Sequence, residues 1–381
     1  MPQPPSLRIG IEEEYQIVHP DTRNLRYIVT RSANQERPVL RSRQGDQPLS
    51  DALTASIQAL SAPTCANVTE ARERLHAQRV AICELAQEMG LLVAASGTHP
   101  FASWKQPDVP LPGRYQGMVG DLQVIAERLL IFGMHVHIGV EDRDFAVDCM
   151  NTVRYMLPHM LTLSTSSPFW MGRDTGLMSY RCILQENLPR SGIPHQFASY
   201  AELRHYIDVL LKTRCIRSED EIWWDIRLHP VYPSLEFRIF DMCPRLDDAI
   251  AIVAVVQATV AWLYDLRRRN ISFRLYPRSL IDENKWRAER YGLNGKLIDF
   301  GKEQQLPARS LLRELLRLIT PYADALGTVG EINHAYHIVE HGTSADRQRQ
   351  VFREHGGTAN PEAALKAVVD SVVAETMICR Q

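Results

Sequence analysis

The sequence predicts an α+β fold in which a mainly antiparallel sheet is flanked by helices, and three observations support this prediction. Short segments with alternating apolar residues, typical of strands, interleave with longer segments that have helical periodicity. Two strand segments, 222–228 and 235–241, flank a turn that contains proline, as an antiparallel hairpin would. The glycine motifs GxGxxG and GxxxxGK[ST] are absent from the chain, so neither a Rossmann nor a P-loop site is predicted.

Composition narrows the class of protein. The chain has 381 residues, 45% hydrophobic and 23% charged, with 43 Lys and Arg against 45 Asp and Glu. These values are ordinary for a soluble globular protein and exclude general disorder. The balance of charge argues against a dedicated nucleic-acid binder, which carries a basic excess. Seven scattered cysteines without a CxxC motif predict reduced thiols and a cytoplasmic location.

The length allows two domains or one large domain. The N-terminus has no basic region followed by an apolar stretch, so no secretory leader is expected. The most apolar run, 249–264, is shorter than the ~20 residues that span a bilayer. It predicts a buried helix, and no membrane partner.

The elements follow from local signals. Asn67 precedes a helical segment with Glu70 three residues on, and Gly90 ends it. Pro158 is expected to bend another helix. We predict strands at 7–18, 91–95, 134–140, 222–228 and 235–241. We predict helices at 68–89, 119–131, 144–163, 199–213, 246–267, 308–325, 345–355 and from 361 onward. The polar, arginine-rich stretch 21–50 is predicted to be a loop, and 164–196 a long loop.

Two strand segments carry pairs of potential metal ligands. A strand sends residues i and i+2 to the same face, so Glu12 and Glu14 share a face, as do His135 and His137. Adjacent carboxylates repel unless a cation or a shared proton relieves them. The alternatives are an exposed acidic strand end for the glutamates and a structural role for the histidines, which the isolated HxH pattern favours.

The hairpin adds charges at the same spacing. Asp225 with Arg227, and Glu236 with Arg238, each form a same-face pair. Cross-strand salt bridges on a solvated face explain this spacing equally well. The functional interpretation is favoured because the same pattern occurs on three separate strands. Each of them carries acids, imidazoles or guanidiniums at alternate positions, and therefore on one face. A polar pocket lined by a sheet would produce this pattern.

Two further segments are basic. The loop after residue 164 contains Arg173 and Arg181, which could each clamp a carboxylate or phosphate, although a surface charge is the simpler interpretation. If residues 283–292 are helical, Lys285 and Glu289 pair at i,i+4, and Arg287 lies on another face. The local basic excess suits a polyphosphate or a substrate carboxylate, and a solvated helix is an equal alternative.

Taken together and in order, these motifs resemble the carboxylate–amine ligase family, also called glutamate–cysteine ligase type 2. The segments that carry the resemblance are 10–15, 97–101, 133–139, 166–170, 172–177, 222–227, 235–238 and 284–288. The resemblance implies a glutamine-synthetase-like fold with a curved antiparallel sheet. It also implies a single catalytic domain over residues 1–381, with C-terminal helices at about 300–381 packed on it. It also implies that ATP phosphorylates a carboxylate and that an amine then displaces the phosphate, with glutamate and cysteine as default substrates. The resemblance implies Mg²⁺ as the metal, with Mn²⁺ as an alternative. It leaves open whether the chain forms a homo-oligomer.

The resemblance also assigns roles by position. The implied metal ligands are Glu12, Glu14, His135 and Glu236. The implied catalytic arginines are Arg238, Arg227 and Arg181, which would contact phosphate or substrate. The implied residues for substrate or ATP binding are His137, Thr98, His99, Arg173 and Arg287.

One position departs from the family pattern. Members carry a further glutamate ahead of a Thr-x-x-Cys segment, where this chain has Ala59, with Gln58 beside it. Alanine cannot ligate a metal, so the number of metals is an open question. Two alternatives to a ligase follow: a metal-dependent hydrolase of a small amide or ester on the same scaffold, and a non-catalytic small-molecule sensor.

Overall fold

Strands and helices alternate along the chain as the α+β prediction requires. The computed structural model describes residues 4–29, 64–103 and 119–377. The strands are β1 (Ile9–Glu13), β2 (Tyr15–Val18), β3 (Leu25–Val29), β4 (Leu92–Ala94), β5 (Gly133–Gly139), β6 (Phe169–Trp170), β7 (Arg173–Asp174), β8 (Ser191–Gly192), β9 (Trp223–Trp224), β10 (Ile226–Leu228), β11 (Ser234–Asp241), β12 (Lys296–Asp299) and β13 (Gln304–Pro307). The helices are α1 (Val68–Glu88), α2 (Val119–Leu122), α3 (Val124–Glu127), α4 (Arg143–Val153), α5 (Leu157–Ser164), α6 (Tyr180–Glu186), α7 (Tyr200–Lys212), α8 (Leu246–Arg268), α9 (Arg278–Tyr291), α10 (Ala308–Ala325), α11 (Val329–His341), α12 (Ser344–Glu354) and α13 (Pro361–Met377).

The central sheet is antiparallel and has the strand order β1-β5-β11-β10. A second antiparallel sheet has the order β3-β2-β4. Most of the strand pairing is therefore antiparallel, as the hairpin signal predicts, and β8 with β9 forms a parallel pair.

The predicted strand 7–18 is two strands that belong to different sheets. The break falls at Glu14, whose backbone N–H donates to the Gly133 carbonyl at 3.2 Å. Its carboxylate accepts a hydrogen bond from the Gly133 N–H at 2.6 Å. Because Glu14 satisfies both groups of Gly133, β1 ends against the start of β5 and the chain passes into the second sheet.

One face of the central sheet is apolar and forms the core with the helices. Ile11, Val136 and Phe237 are 0–2% exposed and belong to one continuous cluster with residues of α5 and α8. Each such side chain contributes about 1.5–3 kcal/mol when it leaves water. The period of two then sends the neighbouring charged residues to the other face.

Helix α8 is the buried helix that the sequence predicts. Among the described residues, this helix alone is long and apolar enough to cross a membrane by length and composition, and 78% of its most apolar window is buried inside the protein. Such burial is typical of a core helix, because a spanning helix would present that surface to lipid.

The prediction of one long loop over 164–196 is wrong. Helix α6 and the short strands β6, β7 and β8 lie within it. The buried Asp241 carboxylate orders this segment by accepting hydrogen bonds from the Ser166 N–H at 2.9 Å, the Ser167 hydroxyl at 2.7 Å and the Ser179 hydroxyl at 2.8 Å. These polar contacts span more than 60 residues, so no local pattern announces them.

Other local signals hold. The Asn67 side chain accepts from the Glu70 N–H and caps α1. Pro158 lies in the first turn of α5, and the predicted helix 144–163 is accordingly two helices, α4 and α5.

Other predicted elements differ from the structure. The predicted helix 119–131 is divided into two short helices, α2 and α3. Strand β3 lies within the predicted loop 21–50, so that prediction is wrong for Leu25–Val29, and residues 30–50 lie outside the described residues. Helix α11 and the hairpin of β12 and β13 were not predicted either.

Candidate active site

The polar face of the central sheet gathers the predicted residues from four strands. Antiparallel register places Glu12 opposite His135. Glu236 lies opposite His137 on one side and opposite Arg227 on the other. These side chains share a face because each strand alternates, and the neighbouring strands keep the alternation in step.

Carboxylates and imidazoles lie within a few ångströms of one another on this face. His135 Nδ1 is 3.2 Å from Glu12 Oε2 and 3.6 Å from Glu236 Oε1. His137 Nε2 is 3.5 Å from Glu12 Oε1. All four residues are buried. The site is therefore preformed and largely shielded from bulk water.

The donor set fits a divalent cation. Glu12, His135 and Glu236 each offer one ligand atom, and these atoms lie within 4.8 Å of one another. Carboxylate oxygens with one imidazole suit Mg²⁺ or Mn²⁺, whereas sites with several thiolates or imidazoles suit zinc. Three of the four predicted metal ligands are brought together here.

Two arginines share the Glu236 carboxylate. Arg227 Nε donates to Glu236 Oε2 at 2.6 Å, and Arg238 Nη1 donates to Glu236 Oε1. The Arg227 guanidinium is also anchored on the Ile222 carbonyl at 2.8 Å. Arg238 Nη1 lies 3.4 Å from His135 Nδ1. Both guanidiniums therefore lie beside the candidate metal ligands, where a phosphate group could be held.

Charge pairing sets the protonation states. Burial alone would raise the pKa of Glu12, but hydrogen bonds from His135 and His137 hold it well below its ordinary value. Burial also opposes ionisation of Glu236, and the adjacent Arg227 and Arg238 lower its pKa well below the ordinary value. Both carboxylates are therefore anions.

The imidazole at the centre is neutral. Burial, assisted by the nearby Arg238 charge, lowers the pKa of His135 to about 4. A neutral imidazole is the form that binds a metal, so His135 needs no proton release near neutral pH.

A histidine that sequence reasoning missed completes the face. His229 is 2% exposed, and a polar atom of its side chain lies within 4.8 Å of polar atoms of His137 and Glu236. Its ring lies edge-on to His137 at 5.3 Å. Its Nδ1 accepts from the Val231 N–H at 3.2 Å and the Tyr232 N–H at 2.9 Å. The proton of the neutral ring therefore sits on Nε2, which makes His229 a hydrogen-bond donor. The available signal was its position two residues after Arg227.

Two predicted residues contact backbone beside the cluster. Glu14 engages Gly133, as described above. Arg181, on α6, donates to the Arg238 carbonyl at 3.1 Å and the Ile239 carbonyl at 3.2 Å. Arg181 therefore supports the strand that carries Arg238.

The remaining predicted residues have contacts elsewhere. Thr98 Oγ1 donates to the Phe169 carbonyl at 2.7 Å. His99 bonds the Arg23 carbonyl through Nε2 at 2.9 Å, and burial lowers its pKa to about 4. Arg287 pairs with Glu283 one helical turn away, and Arg173 is exposed on β7. Gln58 and Ala59 lie outside the described residues.

Comparison with known proteins identifies the class of protein that this site belongs to. The model of glutamate-cysteine ligase family 2 matches residues 8–368. The chain therefore belongs to that family, which confirms the resemblance drawn from the ordered motifs and the prediction of a ligase enzyme.

Relatives match over nearly the whole chain. A protein of Solibacter usitatus named "Putative glutamate--cysteine ligase 2" is 46% identical over 98% of this chain and 94% of its own length. A protein of Herpetosiphon aurantiacus with the same name is 46% identical over 97% of this chain and 93% of its own length.

Solved structures share the fold. The glutamate–cysteine ligase of Francisella tularensis, solved in complex with AMP, matches with a TM-score of 0.60 at 12% identity and covers 97% of this chain and 91% of its own. A bifunctional glutathione synthetase from Pasteurella multocida matches with a TM-score of 0.53 at 13% identity, covering 97% of this chain and 52% of its own. The predicted fold class is confirmed.

Proposed function

We propose that this protein is an ATP-dependent carboxylate–amine ligase that forms a γ-glutamyl-type amide, with glutamate and cysteine as default substrates. The observation that carries the proposal is the polar sheet face, where Glu12, His135 and Glu236 lie beside Arg227 and Arg238. The names of the relatives and the AMP complex of the Francisella protein support the same reaction.

The reaction needs two transfers. A carboxylate oxygen of the first substrate attacks the γ-phosphorus of ATP, and ADP leaves, which produces an acyl phosphate. The amine nitrogen of the second substrate then attacks the acyl carbon, phosphate leaves and the nitrogen loses a proton. The first transfer concentrates negative charge on the phosphoryl oxygens, so positive groups must face them.

The residues of the sheet face can meet this need. Arg227 and Arg238 would donate to the transferred phosphoryl group, because their guanidiniums are held next to the candidate metal ligands. Glu12, His135 and Glu236 would hold Mg²⁺ or Mn²⁺, which when bound neutralises phosphate charge. His229 and His137 would line the face beside them. The assignments of Glu14, Arg181, Thr98, His99, Arg173 and Arg287 stay proposals.

The test is turnover that depends on three components. Purified protein is incubated with ATP, Mg²⁺ or Mn²⁺ and a panel of amino acids and amines, and phosphate release and the amide product are measured. We expect release that requires a carboxylate, an amine and the metal, and that stops when EDTA is added. No amine-dependent release across a broad panel would contradict the proposal. Metal-dependent cleavage of γ-glutamyl amides without ATP would favour the hydrolase alternative.

A further inference from the structure

A buried ammonium group lies at the centre of three carboxylates, apart from the polar face. Lys285, on α9, is 1% exposed, and its Nζ is 2.7 Å from Asp225 Oδ2 and 2.7 Å from Glu186 Oε1. Glu289 Oε1, one turn further on α9, is 3.9 Å away. The sequence predicted that Asp225 and Arg227 form a pair on one face. In the structure, Arg227 forms its ion pair with Glu236, and Asp225 forms its ion pair with Lys285.

The Lys285–Asp225 pair is the dry part of this cluster. Both side chains are 2% exposed, whereas the Glu186 side chain is 39% exposed and remains hydrated. Burial would lower the pKa of Lys285, but Asp225 and Glu186 raise it well above its ordinary value, so the ammonium is charged. A buried pair that loses one member leaves the other charge uncompensated. The two side chains therefore hold each other in place.

Asp225 connects this pair to the candidate site through its backbone. Its carbonyl accepts a hydrogen bond from the Arg238 N–H at 2.7 Å, and its N–H donates to the Gly192 carbonyl at 2.9 Å. Asp225 lies between β9 and β10, opposite Arg238. Its position thus fixes the backbone from which the Arg238 guanidinium reaches Glu236.

Arg238 lies at an irregularity of the central sheet. The pairing of β11 with β5 shifts register between Phe237 and Phe240, the stretch of β11 that contains Arg238. The Arg181 guanidinium donates hydrogen bonds to the carbonyls of Arg238 and Ile239 in this stretch. The backbone of Arg238 is therefore held by Arg181 on one edge and by Asp225 on the other.

We propose that Lys285 is a positioning residue: by fixing Asp225, it sets the backbone of Arg238 and so aims that guanidinium at the phosphoryl group. Lys285 touches Asp225, Glu186 and Glu289, and it acts on the reaction only through them. The inference deepens the proposed ligase function and rests on it for its kinetic consequence. Its structural consequence, the placement of Arg238, stands without that function.

The kinetic test compares Lys285→Met with the parent and with Lys366→Met, which removes an exposed lysine of α13 that pairs with Glu362. We expect kcat to fall about 100-fold, the loss that an ångström of misplacement causes. We expect the KM for ATP to change by less than about threefold, because the loss arises in the transition state. Lys366→Met should match the parent. A kcat per folded molecule within about threefold of the parent would overturn the proposal.

Two further measurements keep the test decisive. If Lys285→Met does not fold, Asp225→Asn removes the charge but keeps the side-chain shape and should produce the same split between kcat and KM. A crystal structure of whichever variant folds is expected to show the Arg238 guanidinium displaced from Glu236. An unmoved Arg238 would overturn the proposal. If the parent has no ligase turnover, the ligase function fails and the crystal structure alone decides the role of Lys285.

Discussion

Glu12 and Glu13 are neighbours on β1, yet they face opposite sides of the sheet and have opposite surroundings. Both oxygens of Glu13 are bound by the Arg79 guanidinium, Nε at 3.0 Å and Nη2 at 2.5 Å, and the Tyr15 hydroxyl donates to the same carboxylate. Glu12 instead faces His135 and another carboxylate, Glu236, across the polar face.

The difference teaches how to distinguish a structural acid from a functional one. Arg79 also donates to the carbonyls of Cys243 and Pro244, at 2.9 Å and 2.6 Å, so the Glu13 side is closed by the fold's own groups. On the polar face, Arg227 and Arg238 pair with Glu236, whereas Glu12 contacts His135 and His137. A cation from outside would therefore complete the surroundings of the Glu12 carboxylate. Exposure does not separate the two acids, because Glu12 is 8% and Glu13 is 3% exposed.

The largest expected effect is on stability, from the Glu13 side. Arg79→Met leaves a carboxylate buried without a countercharge, so we expect the free energy of unfolding to fall by about 3–5 kcal/mol. Denaturation in urea, followed by circular dichroism, measures the change. Arg74→Met is the matched control, since Arg74 lies on the same helix and pairs with Glu70 at the surface. Equal losses in both variants would remove the distinction between the two sides.

A neighbouring pair of substitutions tests function against structure directly. Glu12→Gln should lower amine-dependent phosphate release about 100-fold or more, because one proposed metal ligand is lost. Its free energy of unfolding should fall less than that of Glu13→Gln, because no buried guanidinium loses its partner and the Gln amide oxygen can still accept a hydrogen bond from His135. Glu13→Gln should do the reverse and lower stability, since Arg79 is then uncompensated.

The readout for this pair does not depend on turnover alone. Binding of Mn²⁺, followed by electron paramagnetic resonance, should weaken in Glu12→Gln and persist in folded Glu13→Gln. If Glu12→Gln binds Mn²⁺ as the parent does, the assignment of Glu12 as a ligand is wrong.

The polar face was predictable because strand geometry is local and regular. The alternation of side chains along each strand places Glu12, His135 and Glu236 on the faces opposite their apolar neighbours. The apolar residues pack into the core, so the polar residues lie on the other face of the sheet. The hairpin turn sets the register of β10 with β11, whereas the pairings of β5 with β11 and with β1 join segments that are far apart in the sequence. The residue types then suffice to indicate a cation site.

The rest depends on contacts that no local pattern encodes. Arg79 lies 66 positions from Glu13, and nothing in its helix announces a buried guanidinium. Asp225 lies in the break between β9 and β10 and pairs with Lys285 of α9, so it is separated from Arg227, although strict alternation had placed the two residues on one face. His229 was missed because a proline-containing turn conceals that it continues the alternation of β10.

A buried histidine outside both regions separates burial from charge pairing, the two effects that act together on Glu12. Burial lowers the pKa of His159 to about 4, although its bond to the Tyr155 carbonyl partly opposes the shift. The folded pKa lies below the unfolded value, so between about pH 4 and 6.5 the unfolded chain binds the extra proton. The free energy of unfolding therefore decreases as pH falls through that window, by up to about 1.4 kcal/mol per pH unit from this residue.

His159→Gln removes the titration and keeps a side-chain donor for the Tyr155 carbonyl. The slope of the free energy of unfolding against pH should therefore decrease between pH 4.5 and 6.5, by up to about 1.4 kcal/mol per pH unit, and stay unchanged above pH 6.5. Urea denaturation at half-unit pH steps measures the slope. His355→Gln is the control, because His355 makes the same bond to a carbonyl one turn earlier, that of Val351, at an exposed position. An equal flattening in both variants would show that the helical hydrogen bond, rather than burial, causes the pH dependence, and the low pKa of a buried neutral imidazole would then lose its support at His135 as well.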